Sequence, residues 1–189
     1  MLKPILIIVA SSMLFLTACV PSMNPFYTHA DIYFDRNLLG SWADPSEKES
    51  WTFEYESDKE YRLTHIDEYG KKGVFEARLF RLDGRSFIDI TPDRSSMKGN
   101  DFYSGHLFSL HTFVRISLNG QSAEMSCLDP EWLKRALEKD PAALDHAIVD
   151  SDLILTDSTR ALKAFLVSNL NTPGAFGKPT PLKRKEAAK

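Results

Sequence analysis

The chain has 189 residues, two cysteines and a formal net charge of −3, with 43% hydrophobic and 26% charged residues. That length and apolar content suit one domain with its own core and exclude a disordered chain, and the mild acidity gives nucleic acid no electrostatic reason to bind. At the N-terminus Lys3 precedes residues 5–16, an uncharged run interrupted only by Ser11 and Ser12. A bilayer core needs about 20 apolar residues, so this run is too short to span it and has the form of a signal-peptide apolar region.

The run closes on Leu16-Thr17-Ala18-Cys19. An aliphatic residue, two small residues and a cysteine at the end of such a run resemble the lipobox of bacterial lipoproteins. The resemblance implies that residues 1–18 are a lipoprotein signal peptide. Cys19 would then open the mature chain, its thiol joined to a diacylglyceryl group and its amine acylated with palmitate or a similar chain. Each buried methylene contributes about 0.8 kcal/mol, and stable anchoring takes more than one chain. Val20, rather than aspartate, follows the cysteine. By the same resemblance this places the protein in the outer membrane, facing the periplasm, with the membrane itself as a partner. With Cys19 consumed, no internal disulfide is expected, and Cys127 reads as packing. Residues 19–30 carry two prolines and no helical period. They read as a lipidated tether that could lift the domain roughly 40 Å from the lipid, unless Phe26 and Tyr27 fold back onto it.

Residues 31–170 read as a single β-rich domain with C-terminal helices. In Trp51-Thr52-Phe53-Glu54-Tyr55-Glu56 the aromatics share one face, which marks a half-buried strand. The alternation returns at 61–65 and at 74–82, where Phe75, Ala77 and Leu79 share a face. Asp83-Gly84 signals a hairpin into 87–90, and residues 92–105 read as a polar loop. The segment 107–118, Asn119-Gly120 and 123–128 make a further hairpin. Short strands joined by such turns predict a mainly β, α+β fold built on an antiparallel, barrel-like meander. Asp129-Pro130-Glu131-Trp132 opens a helix, a second short helix is expected after Pro141, and residues 153–155 read as a strand. Thr156-Asp157-Ser158 caps a third helix whose apolar stripe includes Leu162, Phe165 and Leu166. Residues 171–189, rich in proline and glycine before a basic end, read as a disordered tail.

Leu38-Leu39-Gly40-Ser41-Trp42 precedes the first strong strand. Here the sequence resembles the lipocalin-like (calycin) proteins, whose first strand opens with Gly-x-Trp. The resemblance implies an eight-stranded barrel closed at one end by Trp42 beneath a basic side chain from a late strand. Arg115 is the expected partner.

The sequence contains no Cys-x-x-Cys, no i, i+4 histidine pair, no phosphate loop and no Gly-x-Ser-x-Gly. His65, His106 and His111 are too irregularly spaced for a strand-borne metal site. Neither metal nor cofactor is expected, and no nucleophile–base pair points to an enzyme. Asp89, a carboxylate inside an apolar run, reads as outward-facing or else as a buried, hydrogen-bonded acid. The expected function is a non-enzymatic binding module for a small apolar or amphipathic ligand, lined by Trp51, Phe53, Tyr55 and Phe75. The alternative is an envelope assembly subunit that docks another protein. A filled barrel interior favours the latter and a cavity of several hundred cubic ångströms the former.

Overall fold

A computed structural model describes residues 19–45, 48–96 and 99–185. The expected signal peptide lies outside the described residues. Eight antiparallel strands form a closed barrel: β1 (Gly40–Ala43), β2 (Ser50–Ser57), β3 (Glu60–Ile66), β4 (Lys72–Leu82), β5 (Arg85–Pro92), β6 (Thr112–Asn119), β7 (Ser122–Cys127) and β10 (Thr180–Arg184). Between β7 and β10 lie helix α2 (Pro130–Lys139), a two-stranded sheet of β8 (His146–Val149) and β9 (Asp152–Leu155), and helix α3 (Thr159–Asn169). A short helix, α1 (Asp101–Gly105), sits in the β5–β6 connection.

The period-two pattern sets the register. Trp51, Phe53, Tyr61, Leu63, Ala77, Leu79, Ile88, Ile90, Val114 and Ile116 point inward and fill the barrel. Phe80, Leu82, Phe87 and Phe113 point outward from the same strands and form a second core beneath the helices. The β4–β5 hairpin turns on Asp83 and Gly84, both at positive φ, the backbone twist that a two-residue hairpin requires.

The helices start where their caps predict. The Asp129 carboxylate accepts from Trp132 N–H (2.7 Å), and Pro130 occupies the first turn of α2, where its missing N–H costs nothing. Leu133 and Leu137 of α2 pack with Leu162 and Leu166 of α3 onto the outward aromatics. Each such fully buried side chain stabilises the fold by about 1.5–3 kcal/mol.

Four expectations change here. Residues 19–30 are not an extended tether: Val20, Phe26 and Tyr27 are buried, and Ser22 bridges to both His111 and Leu155. The Tyr27 hydroxyl donates to Asp89 (2.9 Å), and Lys163 of α3 pairs with Asp31 at 2.6 Å. Residues 171–185 are not a disordered tail, because β10 hydrogen-bonds both β7 and β1 and closes the barrel. The helix expected after Pro141 is replaced by the β8–β9 hairpin, whose Leu155 is fully buried. Finally, the Cys19 and Cys127 sulfurs are bonded to each other, so an internal disulfide is possible after all. A thioether at Cys19 and this disulfide exclude each other, because one sulfur cannot hold both bonds.

Candidate functional site

The antiparallel meander gives the barrel two unlike ends. The β2–β3, β4–β5 and β6–β7 turns lie at one end, and the chain enters β1 there after a 3-10 turn at Arg36–Leu38. This end is sealed. Trp42 is 1% exposed, and its indole N–H donates to the Leu38 carbonyl (2.8 Å). The Arg184 guanidinium lies 4.3 Å above the ring and donates to the Leu39 and Asn37 carbonyls. Gly40 sits at φ +110°, and a Cβ there would come within 2.7 Å of Arg184 Nη1. The Gly-x-Trp pair is thus needed twice, for the backbone turn and for the room the arginine occupies. Tyr61 seals the same end: its hydroxyl accepts from Asp35 N–H (2.7 Å), and burial pushes its pKa up to about 12.

Arg115 is not the partner of Trp42. Val114 and Ile116 point into the barrel, so Arg115 between them points out. There its guanidinium stacks 4.2 Å over Phe176 and donates to Ser126 (3.3 Å). Arg81, stacked 4.4 Å over Tyr33, and Arg85 share with it a polar groove of about 520 Å³ on the flank near the sealed end. Arg184→Lys keeps the charge over Trp42 but loses the planar stack. It is expected to lower stability by about 0.5–2 kcal/mol in urea unfolding, with an unchanged m-value.

The opposite end is open. Trp51, His65, Phe75 and Ile90 reach it along the strands, and Pro21, Phe108, Leu110, Pro92 and Thr112 complete a cleft of about 300 Å³. Of the four expected lining residues, the structure brings two to this cleft. Trp51 and Phe75 line it, Phe53 lies deeper and fills the interior, and Tyr55 is exposed toward the sealed end, edge-on to Phe34. The central interior is filled by side chains.

Two polar side chains face this otherwise apolar surface, Thr112 and His65, and the histidine is the more deeply buried. His65 is 5% exposed, its ring centroid 4.4 Å from that of Trp51. Its Nε2 is buried without a hydrogen-bond partner, and Glu49 Oε2 lies 4.0 Å away. Burial pushes the imidazole below its usual pKa, and the Asp67 charge opposes this only in part, so the ring is neutral. The unfolded chain therefore binds the proton more readily than the folded one. The stability contributed by neutral His65 is complete above about pH 6.5 and is lost as pH falls through the lowered pKa. His65→Gln should accordingly flatten the fall in melting temperature below that pH.

The histidines do not converge. His106 Nδ1 lies 2.7 Å from the Phe102 carbonyl, and His111 Nδ1 donates to Asp89 at 2.8 Å. Among the described residues no group of three His, Cys, Asp or Glu side chains is placed to hold a metal. Asp89 points outward from the barrel yet is 1% exposed, because residues 20–27 cover it. It is the buried, hydrogen-bonded acid, held by Tyr27 and His111. Burial, followed by the Asp89 charge and hydrogen bond, pushes the Tyr27 phenol far above its usual pKa. The cluster therefore pins the N-terminal segment as a neutral tyrosine on a carboxylate.

Neither a family model, nor a curated protein, nor a solved structure matches the chain.

Proposed function

We propose that this is a lipid-anchored, periplasm-facing lipoprotein of the outer membrane, with a lipocalin-like barrel that binds a small amphipathic molecule at its open end. It holds the ligand and catalyses nothing. The observation that carries the reading is the apolar cleft with a single buried, unpaired polar atom, His65 Nε2. An apolar lining with a few fixed polar groups, here His65 and Thr112, is the usual make-up of a small-molecule site, and about 300 Å³ is the low end of the usual range. The apolar part of the ligand packs against Trp51, Phe75 and Ile90, and its polar end hydrogen-bonds His65. Glu49, 4.0 Å from that nitrogen, disfavours a carboxylate head, so an uncharged hydroxyl or amide fits best. The lipocalin-like assignment is supported by the eight-stranded barrel and the arginine stacked on the Gly-x-Trp indole.

The address is supported by the apolar run that ends on Leu16-Thr17-Ala18-Cys19. In the lipidated protein Cys127 is a thiol, and the Cys19–Cys127 bond belongs to chain that has escaped lipidation. Cys19→Ser should abolish labelling by a fatty-acid probe while Cys127→Ser retains it; labelling that survives Cys19→Ser contradicts the anchor.

The filled barrel interior favours the second reading, an envelope assembly subunit docking another protein. Native mass spectrometry of the protein purified from its own membranes separates the two. A small co-purifying molecule lost on Thr112→Phe, which narrows the cleft, supports the binding module. A stoichiometric protein partner that survives Thr112→Phe supports the assembly subunit.

A further inference from the structure

The open end carries more exposed apolar surface than a water-facing rim requires. Tyr69 (76% exposed) sits on the β3–β4 connection, while Phe102 (79%), Tyr103 and Phe108 stand on the β5–β6 connection. Both connections leave the barrel at the end where Trp51 pairs His65 and Ile90 pairs Thr112. Met23, also exposed, joins them through its neighbour Ser22, which bridges to His111. A single exposed apolar side chain is ordinary, but four exposed aromatics on two neighbouring connections at one end of a barrel are not.

The chain itself says what covers these aromatics. Cys19 lies against the barrel core beside Cys127, the last residue of β7 and therefore at this same end. Val20 is 4% exposed, so the backbone is fixed immediately after the cysteine. The apolar sequence 5–16 leads into this point. With lipid on Cys19, as the proposed function has it, the hydrophobic attachment starts at the rim, because Val20 holds the chain there.

We propose that this aromatic rim rests in the interfacial layer of the bilayer, so that the open end of the barrel faces the lipid. Tyrosine and other aromatic side chains favour that layer, where an apolar ring and a polar edge are both accommodated. The described charges on the two connections are of both signs, with acids in excess: Asp67, Glu68, Asp93 and Asp101 against Lys71 and Arg94. The contact is therefore apolar and does not depend on anionic lipid. It also places the cleft where a ligand can pass from the membrane without crossing water. The rim contact does not require the cleft to bind anything.

The test uses the full membrane-bound chain in phosphatidylcholine vesicles, with one added tryptophan per variant: Tyr69→Trp, Phe102→Trp, or Asn119→Trp at the sealed end. None of these positions lines the cleft. Lipids brominated on the upper acyl chain should quench the added emission at 69 and 102, with a blue shift, and leave that at 119 unchanged. Absence of quenching at 69 and 102, or equal quenching at all three, would overturn the proposal. Quenching confined to the native Trp51 would overturn it too, since that reports lipid in the cleft without rim contact.

Discussion

Removal of residues 179–189 is expected to abolish cooperative unfolding, leaving a broad melt and exposed apolar surface in dye binding. The deleted segment contains β10, which is hydrogen-bonded on both sides, to β7 and to β1. Without it the barrel opens along two edges at once, and unpaired edges invite association with other chains. Leu182, 4% exposed, leaves the interior, and Arg184 leaves Trp42 uncovered. Deletion of a disordered tail would change none of these properties. A sharp transition at the original temperature in the truncated chain would therefore refute the closure.

Phe53→Ala should cost about 3–5 kcal/mol, while Glu54→Ala stays within about 0.5 kcal/mol. The two residues are adjacent but lie on opposite faces of β2. Phe53 is 2% exposed inside the barrel, edge-on to Tyr61, whereas Glu54 is solvent-exposed. Denaturant unfolding of the pair measures the difference. Equal costs would mean that the register of β2 against β1 and β3 is wrong.

Six barrel strands were legible because period-two alternation and two hairpin turns act locally. β10 was not. Thr180-Pro181-Leu182-Lys183-Arg184 has only one buried inward residue, follows a glycine- and proline-rich stretch, and contains a proline that argues against a strand. The structure accommodates that proline through register. Arg184 N–H donates to Gln121 on the β7 side and Lys185 N–H to Ser41 in β1. By that alternation the missing N–H of Pro181 would face the β1 side, beyond Ala43, where the β1–β10 pairing among the described residues has ended. With residues 171–189 read as a tail, β6 supplies the nearest basic candidate for Trp42, although Arg115 alternates with the inward Val114 and Ile116. The cleft was half legible. Trp51 and Phe75 follow from strand period, whereas Phe108 and Leu110 fall in the segment 107–118 that the sequence reads as strand but that becomes β6 only from Thr112, and Pro21 reaches the cleft from the N-terminal segment. For residues 19–30 the prolines point to an extended tether, but the alternative that Phe26 and Tyr27 fold back is the one the structure shows, against Phe113 and Phe80.

The central claim is that the open-end cleft receives a small amphipathic molecule with an uncharged polar end. The most direct measurement is a fluorine NMR titration of 5-fluorotryptophan-labelled protein, in bilayer nanodiscs, with decanol. The account predicts a saturable shift of the Trp51 signal, weakened by His65→Phe, while Trp42 beneath Arg184 and Trp132 on α2 stay in place. A Trp51 signal that does not move, or equal movement of all three, would contradict it.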